Sequence, residues 1–314
     1  MRETDIIDLL RPAANSGAAR GLMDDAAVWL PPLGRELVLT HDSIAAGVHY
    51  LPEDDPSDIA WKLVAVNLSD LAAKGARPAG LLISLALSDE DEAWSERFAF
   101  GMTRVLSEHS VHLWGGDTIR APATVLGCTA IGHVGKGKAL ARSGVRAGDE
   151  LWVSGTIGDA GLGLAAQRGE ARPDKFLQRR YRLPMPRLAL GERLAAAGAH
   201  AAMDISDGLL VDAGRMARAS GLGVSIALER VPLSAAASPR LSAASEGRLV
   251  AATAGDDYEL LIAAPPEAGP ALERAARETK TPLARVGKAE PGEGLVLTYK
   301  QTPVALPPKL GFEH

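Results

Sequence analysis

Trp61–Pro78 reads WKLVAVNLSDLAAKGARP. Neither Gly nor Pro interrupts it before Gly75, a residue suited to the left-handed position after a helix. Pro78 then acts as a stop, so the stretch is expected to be a helix ending near Lys74. At about 100° per residue, Trp61, Val64, Leu68, Leu71 and Ala72 form one apolar band, and Leu63, Val66 and Ala73 cover much of the remaining surface. A helix that apolar on all sides belongs in a core. Yet Asn67, Asp70 and Lys74, spaced three and four apart, line up as one narrow polar stripe. A buried carboxylate has to be paired, hydrogen-bonded or metal-bound, because leaving it bare costs on the order of several kcal/mol. One reading is an Asp70–Lys74 i,i+4 pair on a solvated edge. The other is Asp70 as a ligand, and the rest of the chain favours it, because acids recur at the ends of apolar runs.

The 314 residues suffice for two domains of ordinary size. A chain 46% hydrophobic and 23% charged, with 4% aromatics, has the composition of a soluble globular protein. The net charge of −5 offers no electrostatic footprint for nucleic acid, so an anionic substrate needs a local device such as metal ions or a focused Arg or Lys cluster. Cys128 is the only cysteine, which excludes an internal disulfide and a cysteine-based zinc site. It sits in the apolar run ATVLGCTAIG and reads as core. The opening MRETDIIDLL carries acids where a secretion signal needs a basic start, and no stretch reaches the roughly 18 uncharged apolar residues of a membrane span. The expected location is the cytoplasm.

Along the chain, Glu3–Leu10 reads as a short amphipathic helix, and a Gly-bearing loop then delivers Asp24-Asp25. Glu36–Thr40 is an expected strand running into His41-Asp42-Ser43, and Ser57 or Asp58 is the expected N-cap of the quoted helix. Gly80–Leu87, Val111–Trp114 and Ala123–Val134 read as strands, the second stopping at Gly115-Gly116-Asp117-Thr118, and Asp89–Leu106 as a helix. Between Gly135 and Asp149 apolar periodicity lapses, which places a domain junction there, with domains 1–137 and 138–314. The second half reads as strand Glu150–Ser154, a helix after Gly158-Asp159, a basic helical region Asp174–Leu194, a short strand Ala201–Met203 and a helix Leu209–Ala219. Strands Gly223–Leu228 and Tyr258–Ala263, a helix Pro266–Thr279 and two short strands complete it, while Ser234–Ser245 shows no pattern. Strands and helices alternate in both halves, so the fold class is α/β (α+β) in two domains.

Six places share one grammar: Asp24-Asp25, Asp42, Asp70, Gly116-Asp117, Asp204 with Asp207, and Gly255-Asp256-Asp257. Each sets a carboxylate in a loop or at an element end, with no nearby basic partner. Any one alone reads as a turn or cap residue. Together, if they converge, their repulsion requires cations. Oxygen donors without cysteine or a His cluster suit Mg²⁺, which completes its octahedron with water and phosphate oxygens. The pattern therefore points to a nucleotide-using phosphoryl-transfer enzyme with several metal ions. Gly135-Lys-Gly-Lys-Ala-Leu lacks the spacing and hydroxyl of a P-loop. Gly161-Leu-Gly163-Leu-Ala-Ala166 matches the dinucleotide fingerprint in letters, but no acid stands at a second strand end about twenty residues on. Close packing of helix and strand is the simpler reason for those glycines. Ser206 in DISDG has neither a nucleophile-elbow motif nor an evident His base.

VNLSDLAAKGA, GGDT, ALARSG, SGTIGDAGLGL, DISDGL, GDDYEL and the closing GFEH follow one another in the order found in the thiamine-monophosphate kinase family, which the chain resembles over essentially its whole length. The same ATP-binding superfamily holds aminoimidazole ribonucleotide synthetase, selenophosphate synthetase and a hydrogenase maturation factor. The resemblance implies a PurM-like fold, with an N-terminal α/β domain that dimerises through its strands and a C-terminal α+β sandwich. It implies ATP-dependent phosphorylation of thiamine monophosphate to thiamine diphosphate by direct in-line transfer at a Mg²⁺ cluster, with ATP as co-substrate. Asp24, Thr40, His41, Asp42, Asp70, Asp117, Asp204 and Asp207 would hold metal, His41 through its carbonyl, with Asp207 the candidate catalytic residue. Gly116, Asp117, Arg142 and Ser206 would contact ATP. His49 would meet the thiamine phosphate, and Asp256 and Phe312 would border the thiamine. The family's first motif reads Gly-Asp-Asp where this chain has Met23-Asp24-Asp25, which leaves the choice between Asp24 and Asp25 open. An ATP-dependent synthetase that activates an amide or carbonyl oxygen is the alternative reading, and a non-catalytic nucleotide-binding protein a third.

Overall fold

In this structure, a computed structural model that describes residues 3–312, the chain divides into two units. The first comprises the chain up to Leu71 together with Ala76–Gly137; the second comprises Ala72–Gly75 together with the chain from Lys138 onward. The last two letters of the GFEH motif, Glu313 and His314, lie outside the described residues.

The first unit runs α1 (Glu3–Leu10), β1 (Arg35–Ala45), α2 (Pro56–Ala73), β2 (Arg77–Leu87), α3 (Glu92–His109), β3 (His112–Arg120) and β4 (Val125–Gly135). The strands form one sheet in the order β1-β4-β2-β3, antiparallel except for β2 with β3. The quoted helix is present and longer than its reading. Its N-cap is Asp55 rather than Ser57 or Asp58: the Asp55 carboxylate accepts from the Ser57 N–H at 2.9 Å, ahead of Pro56 at the first helical position. Pro fits there because that N–H has no helical partner to lose. At the other end Gly75 adopts φ +70°, and the N–H groups of Gly75 and Ala76 donate to the carbonyls of Ala72 and Leu71 at 3.0 and 2.9 Å, a Schellman closure. Every residue from Ile59 to Ala73 is buried except Asp70, which is half-buried.

Strand alternation gives the sheet two unlike faces. Ile44, Leu81, Ile83, Leu85, Leu126, Cys128 and Ala130 are buried on the face that also carries Thr40 and Asp42. Leu37, Leu39, His41 and Ser43 stand exposed on the other. Burial pushes the Cys128 thiol far above its usual range, so it is core, as its surroundings in the sequence suggest. Two strand ends differ from expectation. His41-Asp42-Ser43 lie inside β1 because they pair in register with Thr129, Cys128 and Gly127. Gly115–Thr118 lie inside β3 because they pair with Leu82–Leu85.

The second unit runs β5 (Glu150–Ser154), α4 (Asp159–Gln167), α5 (Lys175–Arg182), α6 (Leu188–Leu194), β6 (Ala201–Ile205), α7 (Leu209–Ser220), β7 (Gly223–Ala227), α8 (Ser245–Ala252), β8 (Glu259–Ala264), α9 (Gly269–Glu278), β9 (Leu283–Glu290), β10 (Gly294–Tyr299) and β11 (Thr302–Val304). Its seven strands are ordered β11-β10-β7-β9-β5-β8-β6, and all neighbours are antiparallel except β10 with β7. Apolar clusters lie on both faces. Leu151, Val153, Leu261 and Ala263 join α7 through Leu210, Ala213 and Met216, while Trp152, Leu260 and Ile262 join α6 and α9 through Leu190, Leu194 and Leu272. A sheet covered on both sides has no polar face, which is why ELLIAA in β8 reads as an unbroken apolar run. Three strands close the chain where two were expected, β6 extends through Asp204 to Ile205, and α8 occupies part of the featureless Ala/Ser stretch. The structure is thus an α+β fold in two units, each built on one mixed sheet.

Candidate active site

In the first unit the polar stripe of α2 faces β1. The Thr40 hydroxyl donates to the Asp70 carboxylate, and the Asp42 N–H donates to Asn67 Oδ1 at 2.9 Å. Asn67 in turn donates to the Leu63 carbonyl at 2.9 Å, which fixes its amide orientation. Thr40, Asp42 and Asp70 are therefore gathered at one seam between strand and helix. His41 points to the other face, its Nδ1 2.9 Å from Thr129 Oγ1 and its Nε2 3.3 Å from Ser43 Oγ. Only the backbone of His41 is shared with the Thr40–Asp42 side.

The open face carries a cavity of about 660 Å³, within the size range of small-molecule sites. Trp29, Trp114, Leu22 and Ile131 give it apolar walls, and Asp24, Asp25, His41, Gly116 and Asp117 give it polar ones. Trp29 and Trp114 lie with ring centroids 5.1 Å apart. Gly116 has a steric reason to be glycine, since a Cβ there would sit 2.1 Å from the Ile83 carbonyl oxygen. Asp117 is opposite Ser84 in the register.

His49 lies in the turn that follows β1. Its Nδ1 accepts the Ala45 N–H at 3.1 Å, and its carbonyl accepts from Lys62 Nζ at 2.8 Å.

In the second unit three backbone segments are tied together. The N–H groups of Asp256 and Tyr258 donate to the carbonyls of Ser206 and Ile205 at 2.7 and 2.8 Å, and the Phe312 N–H donates to the Asp207 carbonyl at 2.8 Å. Ser206, Asp207, Asp256 and Phe312 are thereby brought together just beyond Asp204, which is buried in β6. Arg142 is placed elsewhere. Its neighbour Ala141 bridges to Ala201 at the start of β6, while Ser206 follows the end of that strand, roughly 16 Å away at ~3.3 Å per residue. Arg142 and Ser206 are thus set apart by about the length of β6.

The expectation that these acids lack basic partners is corrected at Asp24 and Asp207. Arg20 pairs with Asp24, and its hydrogen bond holds that carboxyl below the usual range, helped by the Asp25 N–H. Arg215 bridges Asp207 and Asp212. Both arginines lie one or two turns of chain from their acids, a proximity visible in the sequence. Asp212 is a positioning residue that sequence reasoning missed. It is fully buried in the first turn of α7, and its Oδ2 accepts the N–H groups of Ser206 and Asp207, both at 3.1 Å. Burial pushes its carboxyl up to about 6, against the pull of Arg215. Position in the chain alone does not reveal this role: Asp212 stands in the first turn of α7, but the N–H groups it accepts belong to the loop that leads into the helix.

Asp257 does the same for α4, accepting the Gly158 N–H at 2.7 Å and the Ala160 N–H at 3.4 Å. The helix N-terminus that a dinucleotide pyrophosphate would need is thus filled by the protein's own carboxylate. A Cβ at Gly163 would lie 2.0 Å from the Leu177 carbonyl oxygen, so this glycine serves helix packing. Among the described residues no group of three or more His, Cys, Asp or Glu side chains is placed to hold a metal ion. Magnesium asks for less, one or two carboxylates with water and phosphate oxygens, and Asp70 beside the Thr40 hydroxyl has hard oxygen donors of that kind.

This pairing of an acid-bearing four-stranded unit with an α+β unit defines an AIR synthase-related protein. Residues 23–134 match the N-terminal domain of that class and residues 146–300 its C-terminal domain. Within it, the thiamine-monophosphate kinase of Caulobacter vibrioides is 41% identical, over 98% of this chain and 89% of that one. The crystal structure of the thiamine-monophosphate kinase from Stenotrophomonas maltophilia is 38% identical and superimposes with a TM-score of 0.85, over 97% of this chain and 98% of that one. AaThiL complexed with AMPPCP and TMP is 30% identical, with a TM-score of 0.76 over 98% of this chain and 97% of that one. The chain belongs to the thiamine-monophosphate kinase family.

Proposed function

We propose that this protein transfers the γ-phosphoryl group of ATP to thiamine monophosphate, giving thiamine diphosphate and ADP. The observation that carries this reading is identity along nearly the whole chain to kinases of that name, one relative being complexed with AMPPCP and TMP. In the reaction an oxygen of the substrate phosphate bonds to the γ-phosphorus while the bond to the β,γ-bridging oxygen breaks, and its electron pair leaves on ADP. The attacking oxygen is already ionised at neutral pH, so the chain has to position and neutralise rather than abstract a proton.

The roles follow from the chemistry of each side chain. Gly116 and Asp117, which line the 660 Å³ cavity of the first unit, are assigned to the nucleotide, as are Arg142 and Ser206. Thr40, Asp42 and Asp70 at the β1–α2 seam, Asp24, Asp117 and the His41 carbonyl elsewhere in the first unit, and Asp204 and Asp207 in the second would be the residues that hold Mg²⁺. Magnesium, when bound there, would supply the positive charge that offsets the repulsion between these acids and the phosphate oxygens. His49 meets the substrate phosphate, and Asp256 and Phe312 border the cationic thiazolium ring, where an acid and an aromatic face both attract positive charge. Two domains, 1–137 and 138–314, divide this work.

The protein acts in the cytoplasm as a homodimer. No described helix is long and apolar enough to cross a membrane. Edge strand β1 exposes Leu37 and, at 62% exposure, Leu39 on the open face, the kind of strand edge that a second copy covers. Leu39→Asp is expected to convert the dimer to monomer in sedimentation; a monomeric unmodified protein would refute the assignment.

Incubating the purified protein with ATP, Mg²⁺ and thiamine monophosphate tests the activity. Thiamine diphosphate and ADP in equal amounts are expected. Phosphate release that depends on an amide substrate would instead mark a synthetase.

A further inference from the structure

The turn after β1 fixes His49 from both ends. The His49 N–H donates to the Ala45 carbonyl at 3.0 Å, and the Ala45 N–H donates back to His49 Nδ1 at 3.1 Å. A backbone N–H can only donate, so Nδ1 must accept and cannot carry a proton. The neutral ring then has its single N–H at Nε2.

Lys62 fixes the other end. It lies on α2 with 2% of its surface exposed, and Nζ donates to the His49 carbonyl at 2.8 Å. A buried ammonium is costly, and a Met of similar length would fill the space without that cost. The Lys supplies something a Met cannot, a charged grip on one carbonyl of the turn.

We propose that Lys62 is a positioning residue which, with the Ala45 N–H, holds His49 as a neutral Nε2–H donor toward the monophosphate of the substrate. The inference rests on the reading that His49 meets that phosphate. A neutral donor orients a phosphate without neutralising the oxygen that must attack, whereas an imidazolium would hold it as an ion pair. The ring therefore selects and aims the acceptor and takes no proton from it.

Three measurements test this. In ¹⁵N-histidine-labelled protein, the His49 Nδ1 resonance is expected in the range of an unprotonated acceptor; an Nδ1–H tautomer overturns the proposal without any variant having to fold. In steady-state kinetics, Lys62→Met is expected to raise KM for thiamine monophosphate about tenfold, the loss of one hydrogen bond, with KM for ATP unchanged. It should add nothing further in a His49→Ala background. Of the two amide replacements, His49→Gln, whose amide nitrogen falls near Nε2, should keep the lower KM, and His49→Asn the higher. Additive Lys62→Met and His49→Ala effects, or better rescue by Asn, overturn the proposal while leaving His49 in the substrate site. An unchanged KM in His49→Ala removes His49 from that site and overturns both readings.

Discussion

Asp70 shows how a single residue changes meaning between sequence and structure. Its half-exposure at the end of an otherwise buried helix, and the Thr40 hydroxyl that donates to it, place it at the β1–α2 seam rather than on a solvated edge. Asp70→Asn keeps the shape and the capacity to accept that bond but removes the charge. We expect turnover to fall by roughly 10²-fold or more, the scale for losing one preorganised electrostatic contact, with the far-UV circular dichroism unchanged. Asp117→Asn should behave alike, and near-normal rates in either variant would remove the metal assignment. Most of the candidate side chains were legible at this scale because each carries chemistry in its type and its neighbours. Asp212, Lys62 and Arg215 were not. Their parts are to hold other residues, and closeness in the chain does not by itself show which partner is held.

At the scale of elements, helices were read more accurately than strand ends. α2 follows from its own residues: apolar on nearly all sides, Asp before it, Pro at its first position, Gly after it. Asp55→Ala is expected to cost ~1 kcal/mol of stability through the lost cap, measured by denaturant unfolding. Asp55→Asn, which retains a capping oxygen while losing the charge facing Arg97, should recover most of it. An Asn variant as unstable as the Ala variant would assign the effect to the ion pair instead. β1 and β3 ran past their expected ends because THDS and GGDT look like turns in isolation. Their strand character comes from partners about 30 to 90 residues distant, since β1 pairs His41 with Thr129 and β3 pairs Asp117 with Ser84. α8 went unread because an Ala/Ser-rich segment has no apolar period to reveal a buried face.

At the scale of the whole molecule, the second unit contains a buried charge network that no local pattern announced. Glu259 is fully buried and accepts from Ser154 at 2.6 Å, Arg180 at 2.9 Å and Arg187 at 2.6 Å. Burial alone would raise its carboxyl, but the two arginines outweigh that and hold it below its usual range. The sign follows. The unfolded state takes up a proton near pH 4.5 while the folded state still resists it, so the contribution is complete above that pH and is lost as the pH falls further. Glu259→Gln should lower stability at pH 7 by ~3 kcal/mol, because it leaves buried arginines uncompensated, and should flatten the fall below pH 4.5. Denaturant midpoints across pH 3–7 check both; an equally steep acid fall in the variant would sink the assignment. The sequence by itself determined most of the helices and strands and the set of acids, because periodicity and residue type act over a few neighbours. Tertiary structure decided which acids carry arginines, which carboxylates serve as helix caps and how His49 is held. Those outcomes depend on which groups the folded chain brings within hydrogen-bond reach, and Ser154 and Glu259, 105 residues apart, meet only there.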